Sequence, residues 1–354
     1  MPLSPKRIPS LDGLRAVSIV IVLIGHLAIT ERGGPVFHFL HYLVQEDLGV
    51  TIFFVISGFL ITTLLLNEKF SDRGLAVGKF YARRGLRILP VCALYILIIY
   101  VYGASAGLGI PGRLFVFALT FSMNFAVVRI WLLAHLWSLA VEEQFYLLWP
   151  WVIRLSLRSI AGIAFLIVVL APVSRVLAYL RPEWRVYTLE PFLGYADSLM
   201  AGCLLAVGRA AFPRRWETLT WGKSRARYLC VLAIWATNYH CLEGKASFFT
   251  VPFGRTLTSA CVAFLLAGAV TRSDGKLFRL LNHPLCVYVG TLSYSLYIWQ
   301  EFFIYKREWG EEWWHLFPVN LAFSFLAAAA SYHLWEKTFL KMRTRFQPPS
   351  SASR

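Results

Sequence analysis

The chain has 354 residues and a net charge of +16, from 35 Lys and Arg against 19 Asp and Glu, yet 58% of it is hydrophobic and only 15% charged. That composition predicts an integral membrane protein and excludes a soluble Rossmann enzyme, an extracellular sandwich or a disordered scaffold. In a soluble protein the basic excess would suggest nucleic acid; here it has to be sorted by side of the membrane, and no nucleic-acid partner is expected.

In chain order, Lys6 and Arg7 precede an apolar run at 14–30 that resembles a signal peptide. His26 interrupts the run and no small-residue cleavage site follows, so it is read as the first span. Further stretches approaching the ~20 residues that a crossing helix needs lie near 46–66, 86–103, 112–127, 135–153, 159–178, 188–208, 227–241, 255–271, 285–305 and 316–336. The loop 67–87, with Lys69, Arg73, Lys79, Arg83, Arg84 and Arg87, is assigned to the cytoplasm because basic loops stay inside.

If every stretch crossed, the loop holding Arg209, Arg214, Arg215, Lys223, Arg225 and Arg227 would lie outside, together with Lys341, Arg343 and Arg345. A segment at 112–127 that enters and leaves on the outer side returns all of them to the cytoplasm. The expectation is an all-α integral membrane protein with about ten transmembrane helices, a re-entrant segment near 104–134 and both termini cytoplasmic. One transmembrane domain covers 1–340, followed by a short basic cytoplasmic tail at 341–354. Non-helical backbone at membrane depth needs protein or water around it, so a re-entrant segment implies an internal cavity.

The six cysteines (Cys92, Cys203, Cys230, Cys241, Cys261 and Cys286) show no paired or metal-ligand spacing and read as buried free thiols. Trp184, Tyr187, Trp309, Trp313 and Trp314 fall at predicted outer ends, as an interfacial belt or as a platform for stacking a sugar. Membrane lipids are the surrounding partner, and a homo-oligomer is compatible with the sequence.

Three polar constellations stand where lipid should not permit them. Arg15 and His26 are eleven residues apart on the first span, which places them on nearly one helical face about 16 Å apart. Ionisable groups at such depth point to function, although Arg15 could snorkel and His26 could make one interhelical hydrogen bond. Asp12 either caps the helix or pairs with Arg15.

The second constellation opens an otherwise apolar span, with His135, Ser138 and Glu142 sharing a face and Glu143 beside them. A neutral histidine with a carboxylate to orient it is minimal equipment for deprotonating an alcohol. Two histidines and a glutamate could also hold a metal, but no ligand spacing supports that and none is expected. The third is Arg83, Arg84 and Arg87 at the start of the third span, either plain positive-inside charge or a clamp for the phosphates of a nucleotide-bearing donor.

Together these stretches resemble the acyltransferase-3 family of membrane O-acyltransferases, which modify bacterial surface sugars and some secondary metabolites. The resemblance covers nearly the whole chain. It is carried by Ile8 to His26, Phe53-Phe54-Val55-Ile56-Ser57-Gly58-Phe59, the Arg84 and Arg87 pair, and His135 to Pro150. It implies a cytoplasmic acyl-CoA donor, most simply acetyl-CoA, and an acceptor hydroxyl on a sugar or glycolipid at the outer face. His26 is then the catalytic base, tuned by Glu142 or Glu143; Arg15, Arg83, Arg84 and Arg87 hold or position the donor; and His135, Trp137, Ser138, Asp12 and Asp197 lie along the substrate path.

Two positions depart from the family pattern. Gln300 stands where relatives often have His, and Tyr195 where they often have Arg before Asp197. The hydrolase-like domain that many larger members append is not expected. A proton-coupled transporter is the alternative, since buried ionisable residues on many spans describe it too.

Overall fold

A computed structural model describes residues 9–72, 74–183, 190–219, 224–242, 247–271, 275–305 and 312–346. All regular elements among them are helical. The first seven are α1 (Pro9–Ile29), α2 (Pro35–Leu43), α3 (Glu46–Lys69), α4 (Val77–Ser105), α5 (Gly112–Leu119), α6 (Trp131–Ala134) and α7 (Leu136–Val152). They are followed by α8 (Leu157–Leu180), α9 (Glu190–Ala211), α10 (Pro213–Leu219), α11 (Ser224–Leu242), α12 (Ser247–Phe249), α13 (Arg255–Thr271), α14 (Lys276–Leu281), α15 (Pro284–Phe303), α16 (Val319–Ala330) and α17 (Lys337–Met342). The expectations placed on Lys6, Arg7, Arg73, Trp184, Tyr187, Lys223 and Trp309 lie outside the described residues.

Six of the described helical stretches are long and apolar enough to cross a bilayer: Ser10–Ile29, Glu46–Lys69, Val77–Ser105, Leu157–Leu180, Pro191–Ala211 and Thr250–Thr271. The expected count was about ten. The difference falls on α7, which has 17 residues, and on α11, α15 and α16, whose apolar runs are broken by polar side chains; α16 continues through the π-helical Ser331–Glu336 into α17. Exposed apolar side chains such as Phe165, Leu166 and Leu180 on α8 and Leu97, Tyr100 and Val101 on α4 make a surface suited to lipid.

Helix length explains where the arginines sit. At 29 residues α4 is about 43 Å long, more than the ~30 Å hydrocarbon core. That excess length lets its opening turns, which carry Lys79, Arg83, Arg84 and Arg87, lie beyond the apolar layer. By contrast α5 has eight residues, about 12 Å, so the apolar run at 112–127 does not cross as a helix. Its turn at Met123–Phe125 leads into α6.

The centre of the bundle is α1, packed between α15 and α3, with α9 on the far side of α3 and α8 beyond α9. Small residues permit the close approach that helices in lipid use in place of a hydrophobic driving force. Gly290 of α15 lies against the Asp12 carbonyl of α1, and Gly13 of α1 against the Leu281 carbonyl of α14. Gly58 of α3 and Gly202 of α9 face each other's backbones in the same way. The Ser18 hydroxyl donates to the Gly49 carbonyl at 2.5 Å, fixing α1 to α3. At the chain's basic end, α17 and the 3-10 turn Arg343–Phe346 pack on α4.

Candidate active site

Between α1, α3, α4, α7 and α15 lies a cavity. Arg15, Arg84, Arg87, Ser57, Ser138, Glu142 and Tyr146 provide most of its polar lining. Residues from four helices thus converge: Arg15 from α1, Ser57 from α3, Arg84 and Arg87 from α4, and Ser138, Glu142 and Tyr146 from α7. The Arg84 guanidinium lies 5.3 Å from the Tyr146 ring and 5.8 Å from that of Phe80, so its plane is held by aromatic faces. Arg15 donates to Asp12 at 3.3 Å, one turn earlier on α1. Glu142 accepts from the hydroxyls of Ser57 and Tyr146. Three guanidinium groups around one carboxylate leave the cavity net positive, the electrostatics of an anion site.

Arg83 faces elsewhere. It pairs with Glu68 and donates to the Phe346 carbonyl at 3.0 Å, tying α4 to α3 and to the C-terminal turn. Glu143 is also outside the lining, with one carboxylate oxygen buried and unpartnered among the described residues.

His26 lies on α1 beyond the cavity's other end. Its side chain is 12% exposed, and its ring meets Trp131 edge to face at 5.3 Å, so it points into the protein rather than the lipid. Its Nδ1 is 2.7 Å from Oε1 of Gln300. With the amide oxygen turned to the ring, as placed, the contact is made by a protonated Nδ1, the tautomer that leaves the lone pair on Nε2. Oε1 of Glu301 is 3.8 Å from that Nε2. The other oxygen of Glu301 accepts from His135 Nδ1 at 2.8 Å and from the His135 backbone N–H at 3.3 Å. His135 sits at the break between α6 and α7, where the backbone donors of a helix start have no partner of their own.

This arrangement corrects the expected pairing. The carboxylate beside His26 is Glu301 of α15, whereas Glu142 is engaged with Ser57 and Tyr146 in the cavity. A glutamate inside the apolar stretch 285–305 was a visible signal, and Gln300 next to it is the hydrogen-bond partner of His26.

The remaining candidates separate into two groups. Ser138 lines the cavity and bonds the Tyr297 hydroxyl at 2.5 Å, which in turn donates to the His135 carbonyl at 2.8 Å. Tyr297 lines the cavity while Gln300 and Glu301 do not, so the cavity ends one turn of α15 short of His26. Trp137 stands against Tyr195 with ring centroids 4.4 Å apart, and Arg255 covers the other part of that stack at 4.3 Å. Asp197 is 1% exposed and accepts from Arg175 at 3.0 Å and from Thr256 at 2.6 Å. Its partners belong to α8 and α13, well away from the cavity lining.

The chain is similar to known acyltransferases over most of its length. Residues 8–336 match the family model Acyl_transf_3, described as an acyltransferase domain. The chain is 28% identical over 326 residues to the peptidoglycan O-acetyltransferase OatA of Listeria monocytogenes, covering 84% of this chain and 49% of that protein. It is 28% identical over 328 residues to the O-acetyltransferase OatA of Staphylococcus aureus, covering 84% and 50%. With the putative peptidoglycan O-acetyltransferase YrhL of Bacillus subtilis it shares 28% over 369 residues, covering 94% and 55%. The chain spans about half the length of these relatives, and no solved structure matches it. On the match over 8–336, the chain belongs to the Acyl_transf_3 family of acyltransferase domains.

Proposed function

We propose that the protein transfers an acetyl group from acetyl-CoA on the cytoplasmic side of a bacterial inner membrane to a hydroxyl of a cell-envelope sugar polymer at the outer face. The observation that carries this reading is the convergence of Arg15, Arg84 and Arg87 on one cavity that ends a helical turn from an inward-facing imidazole. The named relatives, described as peptidoglycan or O-acetyltransferases, supply the acetyl group and the glycan class. In this reading about ten spans cross the membrane, 104–134 dips in and returns on the outer side, and both termini are cytoplasmic.

Arg84 and Arg87 hold the CoA phosphates, with Arg84 stiffened by its aromatic neighbours. Arg15, one turn beyond the Asp12 backbone, positions the extended donor arm in the cavity. The thioester passes the Ser138–Tyr297 contact to reach His26. As the acceptor oxygen bonds to the thioester carbon, its proton moves to Nε2 of His26; as the carbon–sulfur bond breaks, that proton passes to the thiolate, leaving an ester and free CoA.

The test is to incubate the purified protein in detergent with isotope-labelled acetyl-CoA and soluble peptidoglycan strands, and to weigh the products. Labelled O-acetyl glycan is the expected outcome. Failure to form any acetylated product across a panel of envelope sugars, with acetyl-CoA left intact, would overturn the proposal. Detergent abolishes any gradient, so product formation also separates the enzyme from a proton-coupled transporter.

A further inference from the structure

We infer that Glu301 is a positioning residue that balances the charge formed on His26 during the reaction, and that His135 holds it there. This rests on the proposed transfer through His26. Glu301 is 3% exposed, and each of its oxygens faces a different histidine: Oε1 lies 3.8 Å from Nε2 of His26, and Oε2 accepts from Nδ1 of His135 at 2.8 Å. The backbone N–H of His135 reaches the same Oε2 at 3.3 Å, so two donors from the α6–α7 junction fix the carboxylate.

Gln300 occupies Nδ1 of His26, which leaves Nε2 as the atom that takes the acceptor proton. The positive charge then appears on the ring facing Glu301, in surroundings with little water. A fixed carboxylate at that distance stabilises the developing imidazolium without reorganising. Glu301 itself neither gains nor loses the proton, which returns through His26 to the departing thiolate. The 3.8 Å separation is too long for a hydrogen bond in the resting state, so His26 keeps its lone pair for the acceptor.

The test uses Glu301→Gln, which preserves size and an oxygen for the His135 donors while removing only the charge. Measured on the full chain with labelled acetyl-CoA and peptidoglycan strands, kcat is expected to fall by about 10²-fold, a typical loss for one charge-stabilising group, with KM for acetyl-CoA held within about twofold. Glu301→Asp, which restores the charge, is expected to recover at least about a tenth of the wild-type kcat. A wild-type kcat in Glu301→Gln, or equal losses in the Gln and Asp variants, would overturn the inference. If Glu301→Gln is not recovered folded, the Asp variant decides: activity as low as that of His26→Ala overturns it. Activity retained by His26→Ala would instead defeat the reading of His26 as base, whereas an inactive His26→Ala beside a normal Glu301→Gln defeats the role of Glu301 alone.

Discussion

Nδ1 of His26 and Oε1 of Gln300 lie 2.7 Å apart, joining the C-terminal half of α1 to the last turns of α15. In the proposed reaction this contact selects the tautomer with Nδ1 protonated, which leaves Nε2 to act as base. Gln300→Leu removes the acceptor and frees the imidazole to take either tautomer. A fall in kcat of about 10-fold is expected, smaller than the ~10²-fold expected for Glu301→Gln. Gln300→His, which can still present an acceptor nitrogen, should retain more activity than Leu. Steady-state kinetics at saturating acetyl-CoA check both, and an unaltered kcat in Gln300→Leu would reduce this contact to packing.

Arg84 and Arg87 line the same cavity from the first turns of α4. Each charge-assisted contact to a phosphate is worth about 1.5–3 kcal/mol, so Arg84→Ala and Arg87→Ala should each raise KM for acetyl-CoA by about 10- to 100-fold. Lysine should not restore Arg84, since the planar guanidinium between the Phe80 and Tyr146 rings is what a point charge lacks. Arg83→Ala, in contrast, cuts the Glu68 and Phe346 contacts and should affect thermal stability more than KM. Equal KM values for all three variants and the wild type would exclude a donor clamp at this site.

These two sets of residues were unequally legible in the sequence. Arg15 could be singled out because a guanidinium in an apolar run needs a reason, and 3.6 residues per turn gives its face, whereas Arg84 stood out only by its spacing from Arg87 and by the family resemblance. Which helix meets which face is a tertiary fact. Periodicity therefore placed Glu142 on a useful face without revealing that Ser57 and Tyr146 occupy it, and it gave no means to connect Glu301 with a histidine 275 positions earlier. Span counting met a similar limit. An apolar run such as 112–127 has the composition of a crossing, but its helix stops at Leu119 and the chain turns at Met123–Phe125.

Asp197 was read as lying on the substrate path, yet its carboxylate is committed to Arg175 and Thr256. Removing one partner of a buried pair leaves the other charge uncompensated, at a cost of about 3–5 kcal/mol. Asp197→Ala should therefore lower the thermal unfolding temperature and the yield of folded protein, while the fraction that folds keeps its KM for acetyl-CoA. A raised KM at unchanged stability would return Asp197 to the substrate path.

His315, in the turn between α15 and α16, accepts from the Trp314 indole at 3.1 Å through Nε2 and stacks on Tyr305. Burial, and after it the nearby Arg32 guanidinium, pushes its pKa from 6.5 down to about 4. The unfolded chain thus binds a proton at higher pH than the folded one. The contribution of His315 to stability is intact above pH ~6.5 and is lost as the pH falls toward 4. Protonation at Nε2 would also break the Trp314 bond. Thermal unfolding followed between pH 7 and 4 should show a shallower decline in His315→Gln than in the wild type, and parallel curves would contradict this.

The contact of Gly290 with the Asp12 carbonyl sets the distance between α1 and α15 a few turns from where His26 meets Gln300. A methyl group at position 290 meets main chain, which cannot rotate aside as a side chain would, so Gly290→Ala must move one helix relative to the other. Both helices remain apolar and remain helix formers, and alanine has the higher helix propensity. The variant should therefore fold and still bind acetyl-CoA through the arginines of α1 and α4. In the proposed reaction catalysis depends on α1 and α15 together, because His26 is on one and the amide that orients it on the other. A displacement of about 1 Å at such a pair can cost about 10²-fold in rate. The expected result is a loss of kcat with a nearly unchanged KM for acetyl-CoA, measured beside Gly78→Ala, where nothing lies within reach of an added Cβ. If Gly290→Ala is as active as that control, the alignment of α1 with α15 does not govern the chemistry.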